Sequence, residues 1–183
     1  MAVRTSMSDL IAQLRLFADD PSGIDSQFVD QQLQDVLDQN ASLAEYEQLN
    51  PLYTIAAGGV VEYKKFMAAH VYFEADTILL NGIYETLTPA TSDFKTGYFT
   101  FTTSQNLPVL IYGKWYDMNA AAADVWAMKA ASLANEFDFS VDGGNYAKSK
   151  QYQQAIAIAA QFRDKALGSS GITYLRRTDV LGE

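Results

Sequence analysis

The sequence predicts an α+β fold: a helical bundle of about four helices with a small antiparallel β-sheet inserted between helices 2 and 3. Three observations carry that expectation. Apolar residues recur at the three-four spacing of a buried helix face near both ends of the chain. Between positions 60 and 117 the residue types shift to Tyr, Phe, Thr, Val and Ile, broken by turn residues at short intervals, as in a small sheet. The composition, 49% hydrophobic and 13% aromatic against 19% charged, supplies enough apolar surface for a core.

The elements follow in order. Ser8 is placed to cap a first helix that carries Leu10, Ile11, Leu14 and Phe17 on one face, and Pro21-Ser22-Gly23 turns the chain after about Ala18. A second helix starts between Asp25 and Asp30, stripes Val29, Leu33, Val36 and Leu37, and ends near Asn40. Over 42–59 the signals conflict. Ala44 to Leu49 suits a helix, Asn50-Pro51 breaks it, and Ala56-Ala57-Gly58-Gly59 has no clear period, so a connector is expected.

Strands are expected over 66–73, 77–80, 97–103 and 107–112, with Asn81-Gly82 and Ser104-Gln105-Asn106 as hairpin turns. Helical spacing returns after Asn119, the expected cap, with Ala123, Trp126, Ala127, Ala130, Leu133, Ala134 and Phe137 on one face. A last helix starts near Asn145, stacks Tyr152, Ala155, Ile156, Ala159 and Phe162, places Lys165 in its final turn and stops at Gly168. Beyond Ser169-Ser170-Gly171 the chain reads as an extended tail that needs a partner to order it.

At 183 residues a single domain over 1–183 is expected, burying about 70% of its unfolded surface. Its parts are N-terminal helices in 1–41, an inserted β subdomain in 60–117, a helical hairpin in 119–167 and the tail in 172–183. Thirteen basic against twenty-two acidic side chains give a net charge of -9, which opposes wrapping of nucleic acid. Absence of Cys excludes disulfides and thiolate metal sites, and a reducing cytosol is the expected place of synthesis. No apolar run has the length of a membrane span, and 1–9 lacks the apolar run of a signal peptide, so a soluble protein without membrane partners is expected.

Catalytic residue types are scarce. The one imidazole, His70, lies in Ala68-Ala69-His70-Val71-Tyr72, where a hydrogen-bonded His on a sheet surface is favoured over a general base. Asp138-Phe139-Ser140-Val141-Asp142-Gly143 matches positions one, three, five and six of a calcium-binding loop. Ser149 stands where the closing bidentate Glu belongs, which favours a tight turn capped by Asn145. Ala56-Ala57-Gly58-Gly59 lacks the Lys-Ser/Thr ending of a phosphate loop. The carboxylate pairs Asp19-Asp20 and Glu45 with Glu47 read as solvated acidic surface, and Lys64-Lys65 and Arg176-Arg177 as solvated or inter-subunit charge. The aromatic residues between Tyr53 and Tyr116 suit a sheet core and a subunit interface better than a stacking platform for sugars or bases. No catalytic, cofactor-binding or metal-binding residues are expected, and the chain is expected not to be an enzyme.

Several strings resemble the small head-tail connector proteins (adaptor, or head-completion, proteins) of long-tailed bacteriophages. They begin at Ala68-Ala69-His70-Val71-Tyr72-Phe73-Glu74-Ala75-Asp76 with Thr77-Ile78-Leu79-Leu80-Asn81-Gly82. Leu87-Thr88-Pro89, Ser92-Asp93-Phe94-Lys95-Thr96-Gly97-Tyr98-Phe99-Thr100-Phe101 and Val109-Leu110-Ile111-Tyr112-Gly113-Lys114-Trp115-Tyr116-Asp117 follow. The strongest likeness is Tyr116-Asp117 leading into Ala120-Ala121-Ala122-Ala123-Asp124, then Glu136-Phe137-Asp138-Phe139-Ser140 with Asp142-Gly143, and the Gln- and Ala-rich segment ending Phe162-Arg163. With the two N-terminal helices the likeness covers most of the chain; 42–59 has no counterpart in it.

The resemblance implies the helical bundle with its inserted sheet, assembled as a twelvefold homo-oligomeric ring at the head-tail junction of the virion. Its implied partners are the portal protein and a tail or tail-terminator (stopper) protein, and genomic DNA passes through the lumen without specific binding. The C-terminal segment would contact the portal or a neighbouring subunit. Arg176, Arg177 and Asp179 would pair with partner charges while Tyr174, Leu175, Val180 and Leu181 fill apolar grooves. The alternatives are a tail terminator or completion protein, a non-viral ligand-binding module, and a calcium-dependent interaction domain.

Overall fold

The computed structural model describes residues 2–24, 26–56, 58–134, 139–141, 144–146 and 148–166. Two helices come first, α1 (Ser8–Ala18) and α2 (Asp30–Gln39), after a 3-10 turn at Thr5–Met7. Eight strands follow: β1 (Ala41–Gln48), β2 (Asn50–Ile55), β3 (Val61–Met67), β4 (Ile78–Leu80), β5 (Thr86–Leu87), β6 (Thr91–Asp93), β7 (Tyr98–Thr100) and β8 (Leu110–Tyr116). The remainder is α3 (Met118–Leu133), the paired β9 (Phe139–Val141) and β10 (Gly144–Tyr146), and α4 (Lys148–Lys165).

This corrects the expected architecture. Among the described residues there are four α-helices, but the strands of the first half form two four-stranded antiparallel sheets, ordered β1-β8-β4-β5 and β2-β3-β7-β6. A helical bundle with a small insert does not describe the molecule. The stretch expected to be a connector supplies β1 and β2. Its Ala, Leu, Glu and Gln residues are helix formers in isolation. They take up strand geometry because Ala41 to Ala44 pair with Tyr116 to Gly113 of β8, so tertiary pairing overrides local preference.

A corner joins the two sheets. Only Leu49 separates β1 from β2; it is fully buried, and its N–H donates to the Val109 carbonyl at 2.9 Å. Around it Ala44, Phe66, Phe73, Leu79, Phe99 and Ile111 form the core between the sheets, with Phe66 edge-on to Phe101 at 5.6 Å. Ser104-Gln105-Asn106 is not a hairpin turn, because β7 and β8 belong to different sheets. Gly113 is required where it stands, since a Cβ there would collide with the Thr77 side chain.

The helices cap the end of the sheets where β1 begins and β8 finishes. Leu10, Ile11 and Leu14 of α1 and Leu33 and Leu37 of α2 pack with Ala121, Ala122 and Val125 of α3 onto Tyr116 and Met118. Asp117, not Asn119, caps α3: its carboxylate accepts the N–H groups of Asn119 at 3.1 Å and Ala120 at 3.0 Å. Because α1, α2 and α4 all pack on α3, its buried residues spread around the helix, while Ala127 and Ala134 of the expected stripe are exposed. On α4, Ala155 is buried and Phe162 stacks on Phe17 at 5.8 Å, but Tyr152 and Ile156 remain exposed.

Two polar clusters close the helix ends. The Lys129 ammonium donates to the carbonyls of Ala18 at 2.7 Å and Asp19 at 2.9 Å, and the Trp126 indole donates to Phe17 O at 3.0 Å. Arg15 reaches the Asp20 carboxylate at 2.6 Å, Asp30 at 2.7 Å and the Phe28 carbonyl at 2.8 Å, fastening the α1–α2 loop. Asp20, expected on the solvated surface, is thus a buried ion-pair partner.

Candidate functional site

The most unusual backbone lies under an exposed tyrosine cluster. In β1 the pairing jumps from Ala44 opposite Gly113 to Glu47 opposite Ile111, so the strand carries one extra residue. Tyr46, at that bulge, has φ 53°. In the β4–β5 turn, Asn81 N–H donates to Glu85 O at 2.9 Å, and the Asn81 side-chain oxygen accepts from the N–H groups of Ile83 and Glu85. Tyr84 has φ 64° there, and Gly82 is not left-handed, so this is not the two-residue Asn-Gly turn expected. Both tyrosines thus hold left-handed conformations that Gly or Asn ordinarily occupies.

The two irregularities bring their rings together. Tyr46 meets Tyr84 edge-on at 5.3 Å and Tyr112 of β8 at 5.1 Å. Tyr112 pairs with Ile78, and Leu43 with Lys114, so these four side chains share the outer face of the β1-β8-β4-β5 sheet. Its cleft, about 300 Å³, is lined by Leu43, Ile78, Tyr112, Asp76 and Lys114 and ends at Arg4 and Glu74.

Glu74 anchors that end. Its carboxylate, 2% exposed, accepts from Ser6 Oγ at 2.6 Å, Tyr116 Oη at 2.5 Å and Arg4 Nε at 2.9 Å, while Arg4 grips both oxygens of Asp38 on α2. Burial alone would raise the Glu74 pKa, but the hydrogen bonds from Ser6, Tyr116 and Arg4 outweigh it and hold the carboxyl below its ordinary range. Burial, with the bond to Glu74, pushes the Tyr116 phenol up. The cluster ties the N-terminal segment and α2 to the sheets.

A second exposed apolar surface lies on the ribbon formed by the outer halves of β2 and β3. Tyr53 pairs with Tyr63 and Ile55 with Val61, so these four side chains project from one face, while Thr54 and Glu62 project from the other. Tyr63 packs against the core between the sheets. Farther out, Tyr53, Ile55 and Val61 are 66%, 68% and 46% exposed. Gly58 and Gly59, at φ 97° and 80°, turn the tip, and the Ala56 N–H donates to Val60 O. The segment read as aperiodic is therefore a hairpin end.

The residues singled out in the sequence are scattered. Tyr174, Leu175, Arg176, Arg177, Asp179, Val180 and Leu181 lie outside the described residues, as do Asp138, Asp142 and Gly143. His70 follows β3 rather than standing in a strand; its ring stacks on Trp115 at 4.1 Å and its Nε2 lies 3.3 Å from Glu47. Lys64 pairs with Glu62 at 2.8 Å on the ribbon. Among the described residues no group of three or more His, Asp or Glu is placed to hold a metal, and no helix is long and apolar enough to cross a membrane. Sequence reasoning missed the tyrosine face, because neither the bulge nor the left-handed Tyr84 has a signature in residue type.

Compared with protein-family models, curated proteins and solved structures, the chain gives no match.

Proposed function

We propose that this chain is a structural virion protein, a head-tail connector subunit that forms a ring between portal and tail and works by binding other chains rather than by catalysis. The observation that supports the reading is the pair of separate apolar surfaces, ribbon and tyrosine face, that the described residues leave uncovered. Contiguous exposed apolar surface of this kind marks protein interaction sites. A closed ring requires two different complementary surfaces on each subunit. The strings shared with connector proteins supply the place in the particle, and the net charge of -9 suits a lumen through which DNA slides without being held.

In this reading the tail residues Tyr174 to Leu181 contact the portal or a neighbouring subunit. The sheet-rich body favours a second placement in the same neck, the tail-terminator or completion ring. Particles made without this chain are expected to accumulate as heads and tails that do not join. Joined, infective particles lacking it would contradict the proposal. Truncation after Gly171 tests the tail separately: normal joining by the shortened chain removes the role given to Tyr174 to Leu181.

A further inference from the structure

We infer that the apolar face of the β2–β3 ribbon seats on the tyrosine-lined outer face of the β1-β8-β4-β5 sheet of a second copy of this chain. The inference rests on the ring reading and names the surfaces that would close it.

The ribbon's pattern calls for a cover. Beyond Lys65, which pairs with Thr100, β3 has no further ladder partner in β7, so the outer half of the hairpin is a two-stranded ribbon. Such ribbons are marginally stable alone in water. Yet its side chains sort cleanly, with Tyr53, Ile55, Val61 and Tyr63 on one face, continuous with the core at Tyr63. That is the pattern of a buried face carried past the edge of its own domain.

The tyrosine face complements it in shape and charge. It is wide enough to carry Leu43, Tyr46, Ile78, Tyr84 and Tyr112, all on irregular or outward-facing positions of one sheet. Two of its residues are held in a costly backbone conformation, and such strain is retained at binding surfaces. Its rim carries three carboxylates, Glu45, Asp76 and Glu85, against one Lys114; the ribbon carries two lysines, Lys64 and Lys65, against Glu62. Because ribbon and face are different surfaces of one chain, the contact is head-to-tail and propagates from copy to copy, as a ring requires. A portal protein seated on the ribbon would satisfy the apolar face equally, and the experiment separates the two.

Absence of native cysteine makes the test direct. Ile55→Cys on the ribbon and Ile78→Cys on the sheet face are both solvent-accessible positions, and Leu16→Cys on the exposed side of α1 serves as control. Purified Ile55→Cys and Ile78→Cys chains, mixed under mild oxidation, are expected to give a cross-linked pair. The yield should be at least about fivefold that of Ile55→Cys with Leu16→Cys, since a disulfide forms only where Cα atoms come within about 7 Å. The double variant should give a ladder of multimers. Dimers formed mainly by Ile55→Cys with itself, or a yield equal to the control, overturn the inference. So does cross-linking of Ile55→Cys to portal protein instead of a second copy in intact particles. Purified chains are used, so loss of the connector reading alone would leave a positive cross-link standing.

Discussion

Tyr46 and Tyr84 are the residues at which stability and function diverge. A left-handed conformation costs an L-residue about 1–2 kcal/mol, and glycine avoids most of that. Tyr84 is 63% exposed, so its ring returns little by burial. Tyr84→Gly is therefore expected to stabilise the isolated chain by about 1 kcal/mol, raising the melting temperature by about 3 °C, while weakening assembly. A lower melting temperature in a thermal scan would show that the tyrosine cluster serves the fold.

Glu74 behaves in the opposite sense. Its folded pKa is depressed, so its contribution is present above the ordinary carboxylate range and is lost as pH falls through the folded value. Glu74→Gln is expected to cost about 2 kcal/mol near neutral pH, the value of hydrogen bonds to a buried charge. In urea titrations the gap from wild type should close at low pH; a gap that stays constant would count against the ionised network. None of these roles was legible from residue type. Asn81-Gly82 signalled a turn, yet the left-handed position fell on Tyr84, and Asn119 looked like a cap where Asp117 reaches the free N–H groups.

The elements differ in how plainly they announced themselves. The first two helices and the third were readable because Leu10, Ile11 and Leu14, Leu33 and Leu37, and Ala122 with Val125 follow the helical period and are buried. The aromatic strands β3, β4, β7 and β8 were found with shifted ends. Residues 41–55 were not, because Ala, Glu and Gln carry no strand signal and the pairing with β8 spans some seventy positions of sequence. That pairing also explains why a bundle was expected: hiding β1 and β2 leaves one small sheet where there are two. Between elements, Lys129 is the most informative contact. Lys129→Ala leaves the last α1 carbonyls without their donor and is expected to cost about 2 kcal/mol. Hydrogen exchange should rise first at the amides of 15–20; faster exchange confined to α3 would place the effect elsewhere.

At the scale of the whole molecule, the fold buries two cores and leaves two apolar surfaces to other chains. The helical cluster and the inter-sheet core meet at Tyr116, held by Glu74 and Arg4, so the helices and sheets form a continuous body from which the ribbon projects. A rigid body with an apolar arm and an apolar receiving face is suited to repetition rather than to turnover of a small molecule. The measurement that bears most directly on that claim is an electron-microscopic reconstruction of the neck of intact particles. It is expected to place this chain as a closed ring between portal and tail, each copy touching two neighbours. A neck without this chain, or with copies that make no lateral contact, would contradict it.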